Sequence, residues 1–173
     1  MDTTKVIELF SYTFPAIITG LVAYYFFSLH TKNDEGRRRY LLNKEAQKDM
    51  LPLRLQAFER MTLFLERINP GKLLIRVTPN SEDKYDYENL LISTIEQEFE
   101  HNLTQQIYLS EECWTVIASA KNATIQMIRR TNSSEVVVTA NNLRESIMTD
   151  LMDRQSPSSV ALHYIKKEVK NLF

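Results

Sequence analysis

Glycine is scarce in this sequence. Its 173 residues include only Gly20, Gly36 and Gly71, against roughly a dozen in an average chain of that length. Glycine supplies the positive-φ positions and close backbone approaches that phosphate-binding loops need. A P-loop needs two glycines five apart, and a dinucleotide fingerprint needs three within six residues. Here they stand 16 and 35 residues apart, so neither signature can form. The same scarcity argues against a sheet of tight hairpins and leaves helices as the building material. A single cysteine, Cys113, excludes an internal disulfide and a four-cysteine zinc site, and fits a reducing compartment. The three histidines, His30, His101 and His163, form no local cluster with it. Residues 32–173 carry 20 basic and 20 acidic side chains. A nucleic-acid binder shows a basic excess or stripe. No nucleic-acid partner is therefore expected.

What the chain does have is a long apolar run. From Leu9 to Leu29 there are 21 consecutive residues without a charge. About 20 helical residues cross the hydrocarbon layer of a bilayer. Tyr12 near one end, and Tyr24 and Tyr25 toward the other, suit the two interfaces. A cleaved signal peptide has a basic start and a small-residue cleavage site, whereas this run follows Asp2 and ends in Tyr-Tyr-Phe-Phe. A buried core helix has a polar face, and this run has none. A transmembrane anchor over residues 1–31 is therefore expected. Lys32, Arg37, Arg38 and Arg39 follow the run and only Lys5 precedes it. The positive-inside rule then puts residues 32–173 in the cytoplasm. Three Asn-x-Ser/Thr matches at Asn102, Asn122 and Asn132 are chance matches in that compartment. Arg37, Arg38 and Arg39 either set this topology or bind anionic headgroups. Lipid-binding clusters hold four to eight charges, which favours the first role.

Residues 32–173 read as a helical domain of about four to five helices. The first covers about 37–68. Leu51, Leu55, Phe58, Met61, Leu65 and Ile68 form its stripe, and Leu53, Ala57 and Phe64 widen it. Pro52 falls inside, and Asn69-Pro70-Gly71 ends the segment. Residues 72–78 read as a short helix or an extended link, and 79–83 as a polar loop. The next helix is expected from Tyr85 to Tyr108. Ser110 is an N-cap, followed by Glu111 and Glu112 in the positive first turn. That helix presents Cys113, Ile117, Ala120, Thr124 and Ile128. Residues 135–153 then carry Val136, Ala140, Leu143, Ile147 and Leu151. Ser156-Pro157 opens a last helix with Ala161, Tyr164, Ile165, Val169 and Leu172. Short connections favour antiparallel packing of the last three helices. Trp114, Met127, Met148 and Met152 read as core or interface residues.

The densest polar stretch is 96–108. On a continuous helical wheel Glu98, Asn102, Gln105 and Gln106 share one face, and His101 lies close by. Glu98-x-x-His101 matches the pair used by di-iron bundles. Such a site needs a second pair and two more glutamates. His30 and His163 have no glutamate three residues before them, so the set is incomplete. The simpler reading is a hydrogen-bond network in which Asn102, Gln105 and Gln106 pair with Arg54, Glu59 or Arg60. Cys113 sits on an apolar stripe without a local base and reads as a buried structural thiol. No catalytic residue, metal or cofactor is expected.

The segments Leu51-Pro-Leu-Arg-Leu-Gln-Ala-Phe-Glu-Arg60, Asn69-Pro70 and Glu98-Phe-Glu-His-Asn-Leu-Thr-Gln-Gln-Ile-Tyr-Leu-Ser110, with Trp114, resemble a family of uncharacterised bacterial proteins. Its members have one N-terminal membrane helix and a helical cytoplasmic part. The resemblance implies a bacterial inner-membrane location and an all-α fold, and it brings no catalytic residues. The expectation is a single-pass anchor followed by a helical bundle that acts as an interaction or scaffold module rather than an enzyme. Its partners would be the lipid bilayer and a protein or a second copy. The alternatives are a membrane-tethered enzyme or a small-ligand sensor at the patch around Glu98 and His101.

Overall fold

The computed structural model describes residues 3–153 and 155–172, with the side chains of 3–10, 32, 33, 35, 152 and 153 outside the described set. The expected roles of Lys5, Lys32 and Met152 therefore fall outside the described side chains. The described chain is helical throughout, with one isolated bridge in place of a sheet. It divides into two compact units, 1–50 and 51–173.

Helix α1 (Thr3–Arg67) begins in the first unit and ends in the second, running through residue 31 and Gly36 without a break. Within the first unit nearly every described side chain from Ser11 onward is exposed, including Tyr12 at 77%, Phe27 at 72% and Leu21 at 64%. Pro15 removes one helical amide there. The Thr19 hydroxyl donates to Pro15 O at 2.8 Å, and the Thr31 hydroxyl to Phe27 O at 2.8 Å. Each hydroxyl bonds the carbonyl four residues earlier in its own helix, the usual local partner of a helical threonine. By length and composition this helix can cross a membrane.

The second unit is a bundle. It contains the end of α1, then α2 (Pro70–Arg76), α3 (Lys84–Glu100), a 3₁₀ segment (Leu103–Tyr108), α4 (Glu111–Asn132), α5 (Ala140–Asp153) and α6 (Pro157–Lys170). The pieces beyond the expected four or five are the short α2 and the 3₁₀ segment. From α1 the core takes Ala57, Phe58, Met61, Phe64 and Leu65, and from the residue just after it Ile68, all at most 2% exposed. Leu53, expected on this stripe, is 42% exposed. Helix α4 supplies Cys113, Ile117, Ala120, Ile125 and Ile128 and packs most extensively on α6. Cys113 near the start of α4 meets Glu168 near the end of α6, so the two helices run antiparallel.

The caps account for most boundaries. The Asp83 carboxylate accepts from Tyr85 N at 2.7 Å, Ser110 Oγ from Cys113 N at 3.1 Å and Ser156 Oγ from Ser159 N at 3.3 Å. Each satisfies an amide that the helix itself cannot. Two boundaries differ from expectation. Helix α3 stops at Glu100, because Asn102 Nδ2 donates to Glu98 O at 2.8 Å and the 3₁₀ turn follows. A short amide side chain competing for helical carbonyls ends helices in this way. Helix α5 begins at Ala140 rather than 135. Val136–Val138 are β-branched and favour extended backbone. Thr139 closes a reciprocal cap with Asn142, with Asn142 N donating to Thr139 Oγ1 at 3.2 Å and Thr139 N to Asn142 Oδ1 at 3.3 Å. Val136 is consequently 82% exposed, not part of an apolar stripe.

Asn69, between α1 and α2, donates through Nδ2 to Ser156 Oγ at 3.0 Å and Ser158 Oγ at 3.3 Å. This ties the α1–α2 corner to the start of α6, where Ser158 is fully buried. Replacing Asn69 by Ala should lower the unfolding free energy by about 1–2 kcal/mol, read by urea denaturation of the second unit's tryptophan signal. An unchanged midpoint would mean that the corner is held by packing alone.

Candidate functional site

The exposed face of α1 presents Gln56, Arg60, Leu63 and Arg67 at helical spacing, and α3 faces it with Thr94, Gln97, Glu98 and His101. Between them lies a groove of about 670 Å³, with Asn102 at its edge and Arg76 of α2 at one end. Three of the five patch residues expected from the sequence, Glu98, His101 and Asn102, line it. Gln105 and Gln106 do not, because the wheel that placed them assumed a helix that stops at Glu100.

The groove is organised by charge. Glu98 is 17% exposed, and its Oε2 lies 3.1 Å from Arg67 Nη1 and its Oε1 3.1 Å from Arg76 Nη1. Arg76 Nη2 also reaches Arg67 O at 3.5 Å. Arg67 and Arg76 are the basic residues in the last turns of α1 and α2, and α3 ends two residues beyond Glu98. Helix C-termini carry partial negative charge that a nearby cation offsets. The two guanidinium groups thus serve Glu98 and the helix ends together. The arginine side chains are 45% and 36% exposed, so each pair contributes at most about 1 kcal/mol. Sequence reasoning missed both arginines. The available signal was a basic residue just before each helix stop.

His101 Nδ1 sits 2.7 Å from Gln97 O. A carbonyl accepts only from a protonated nitrogen, so the neutral ring carries its proton on Nδ1. The amide network expected from Asn102, Gln105 and Gln106 to Arg54, Glu59 or Arg60 is not built. Asn102 bonds within its own turn, Gln105 Nε2 reaches only Thr104 Oγ1 at 3.5 Å, and Arg54 Nε donates to Tyr108 O at 3.3 Å. Among the described residues, no three His, Cys, Asp or Glu side chains gather to hold a metal ion.

Behind the groove stand three aromatic rings. Phe64 and Phe99 lie 5.5 Å apart, and Phe99 stacks on Trp114 at 5.1 Å. Lys121 Nζ is 4.7 Å from the Phe99 ring centre and 2.7 Å from Glu96 Oε2. This gives α3 a partly buried aromatic seat between α1 and α4.

Cys113 is fully buried, as the apolar stripe implied. Burial above all, and then the hydrogen bond and charge of Glu168, push its thiol from 9.0 up to about 12. The thiol stays protonated and is chemically quiet at neutral pH. Trp114 and Met127 pack partly against the core, while Met148 is 42% exposed. In the first unit, Arg37, Arg38 and Arg39 are exposed on α1. Consecutive helical residues turn by about 100°, so the three encircle the helix rather than form one pocket.

Structurally this is an all-helical protein with one helix able to cross a bilayer and a compact helical bundle. The model of a family of unknown function, DUF7935, matches residues 4–172, and the chain belongs to that family. No curated protein and no solved structure matches the chain.

A pH dependence follows from Cys113. Its folded-state pKa is raised, so its contribution to stability is complete below about pH 9 and lost as pH rises toward about 12. The stability difference between the wild type and Cys113→Ala should narrow over that window. Folded protein at pH 8 should react with a thiol reagent only at the rate of unfolding. Fast labelling would contradict the buried thiol.

Proposed function

We propose that the protein is a single-pass anchor of the bacterial inner membrane whose cytoplasmic bundle is an interaction or scaffold module. One observation carries the anchor: the apolar part of α1 is bare. None of the 18-residue window that suits a membrane is buried by the rest of the chain. Fully burying one large apolar side chain is worth about 1.5–3 kcal/mol. A dozen such side chains left in water would outweigh the stability of an ordinary domain, whereas lipid covers them. The charges after the run favour a cytoplasmic bundle, with Arg37, Arg38 and Arg39 acting as a collar at the surface.

The interaction role draws on the polar groups of the bundle. The Glu98 carboxylate is engaged by two arginines on both oxygens. Both oxygens are thus occupied by donors of the chain itself, which leaves neither free to take a proton from a substrate. Enzymatic use of Glu98 and His101 is therefore the less favoured alternative. A small-ligand sensor has more support, because the groove offers about 670 Å³ beside Arg60, Gln97 and His101. A thermal-shift screen on purified full chain tests it, since a ligand selective for the folded state raises the midpoint.

The anchor is tested by fractionation. The full chain should stay with the membrane pellet in alkaline carbonate, and a chain lacking residues 1–31 should not. Protease added to intact spheroplasts should leave a C-terminal tag uncut and should cut it after lysis. Release by carbonate would overturn the anchor, and cleavage in intact spheroplasts would reverse the topology.

A further inference from the structure

The bundle bears a second surface, away from the groove, where apolar side chains stand in water. After a turn closed by Val137 N donating to Ser134 O at 3.1 Å, residues 137–139 lead into α5, pinned by an antiparallel bridge between Asp83 and Thr139 and by Ala140 N donating to Glu82 O at 2.9 Å. Lys84 locks the segment from below. Its Nζ donates to Val137 O at 2.8 Å and to Asn132 O at 3.0 Å, and lies 5.3 Å from the Tyr85 ring centre. Val137 turns inward at 2% exposure, while the residues on either side of it stand in solvent. Val136 is 82%, Val138 71% and Tyr85 61% exposed, the two valines flanking the Val137 carbonyl that Lys84 holds beside the Tyr85 ring. The rim is acidic. Glu82, Asp83, Asp86 and Glu135 are exposed, and none is in an ion pair among the described residues. An apolar centre within a charged rim is the anatomy of a docking surface.

The complementary surface is on the same chain. The outer face of α6 presents Val160, His163, Lys167 and Lys170 at helical spacing, with Lys166 alongside. Val160 is 57% exposed, and the three lysines are exposed without ion pairs among the described residues. The inner face of α6 is occupied by α4. One surface is therefore apolar and acidic and the other apolar and basic, while the charge of the bundle as a whole nearly balances.

We propose that the acidic corner around Tyr85, Val136 and Val138 of one copy docks on the basic outer face of α6 of a second copy. This deepens the interaction-module reading and rests on it, by naming the partner as the chain itself. The contact is heterologous: each copy uses one surface as donor and the other as acceptor, so copies can continue into rings or rows.

The test uses two differently tagged full-length copies, co-expressed and solubilised in mild detergent. Wild-type copies should co-purify. Reversing the corner, with Asp86→Lys and Glu135→Lys in both copies, should cut co-purification about tenfold, and so should Lys166→Glu with Lys167→Glu. Combining all four changes in each copy should restore it, because the charges again oppose. Raising the salt from about 0.1 M to about 1 M, where screening shortens from about 10 Å to about 3 Å, should weaken wild-type association without any substitution. The proposal is overturned if wild-type copies do not co-purify, if either reversal leaves them associated, or if the fourfold variant is not rescued. Association through the membrane helix would be indifferent to all of these charges. Carbonate fractionation of the same cells separates this failure from failure of the anchor.

Discussion

Apolar surface must leave water, and helix α1 offers two kinds of apolar surface with only one kind of cover. Near its end, Phe58, Met61, Phe64, Leu65 and Ile68 are sealed by the other helices of the bundle. Near its start, Tyr12, Phe14, Leu21 and Phe27 stand exposed. The backbone passes from one regime to the other as unbroken helix. The difference is one of side chains and surroundings, not of secondary structure. The bundle's order depends on this division. Its helices pack around the final turns of α1, and Asn69-Pro70-Gly71 then turns the chain so that α2 and α6 can close the corner.

Inside the bundle, polar and aromatic groups share the work of orientation. The ring stack from Phe64 through Phe99 to Trp114 links α1, α3 and α4 at fixed spacing. Lys121 lies against that stack while meeting Glu96, so its ammonium is never left unpaired at 13% exposure. Glu98 then clamps the far side of α3 to the ends of α1 and α2. A groove bordered by such a clamp is geometrically stable, yet most of its charge is already matched within the chain. This is why an interaction role is favoured over a catalytic one.

Much of this was legible in the residues. Ser110 and Ser156 cap the helices they announce, and the stripe Cys113, Ile117, Ala120, Thr124, Ile128 is buried throughout. The reason is local: a cap and a periodic stripe act within a few residues. The misreadings arose where side chains compete with the backbone or where partners lie far away in sequence. Asn102 ends α3 by taking a carbonyl of its own helix, and the polar face drawn through Gln105 and Gln106 disappears with it. Val136–Val138 resist the helix that the flanking apolar residues suggested. Arg67 and Arg76 stand 31 and 22 residues from Glu98, and no local pattern pairs them. The expected 31/32 division marks where the uncharged run ends, while the compact bundle begins at Leu51.

The central claim is that the start of α1 lies in lipid while the bundle lies in water. Tryptophan quenching by brominated acyl chains reads this directly, because the chain has one tryptophan, Trp114, in the bundle. In vesicles of brominated lipid the wild type should keep its emission. A Leu21→Trp variant carrying Trp114→Phe should be strongly quenched. Equal emission from the two proteins, or quenching of Trp114 itself, would contradict the account.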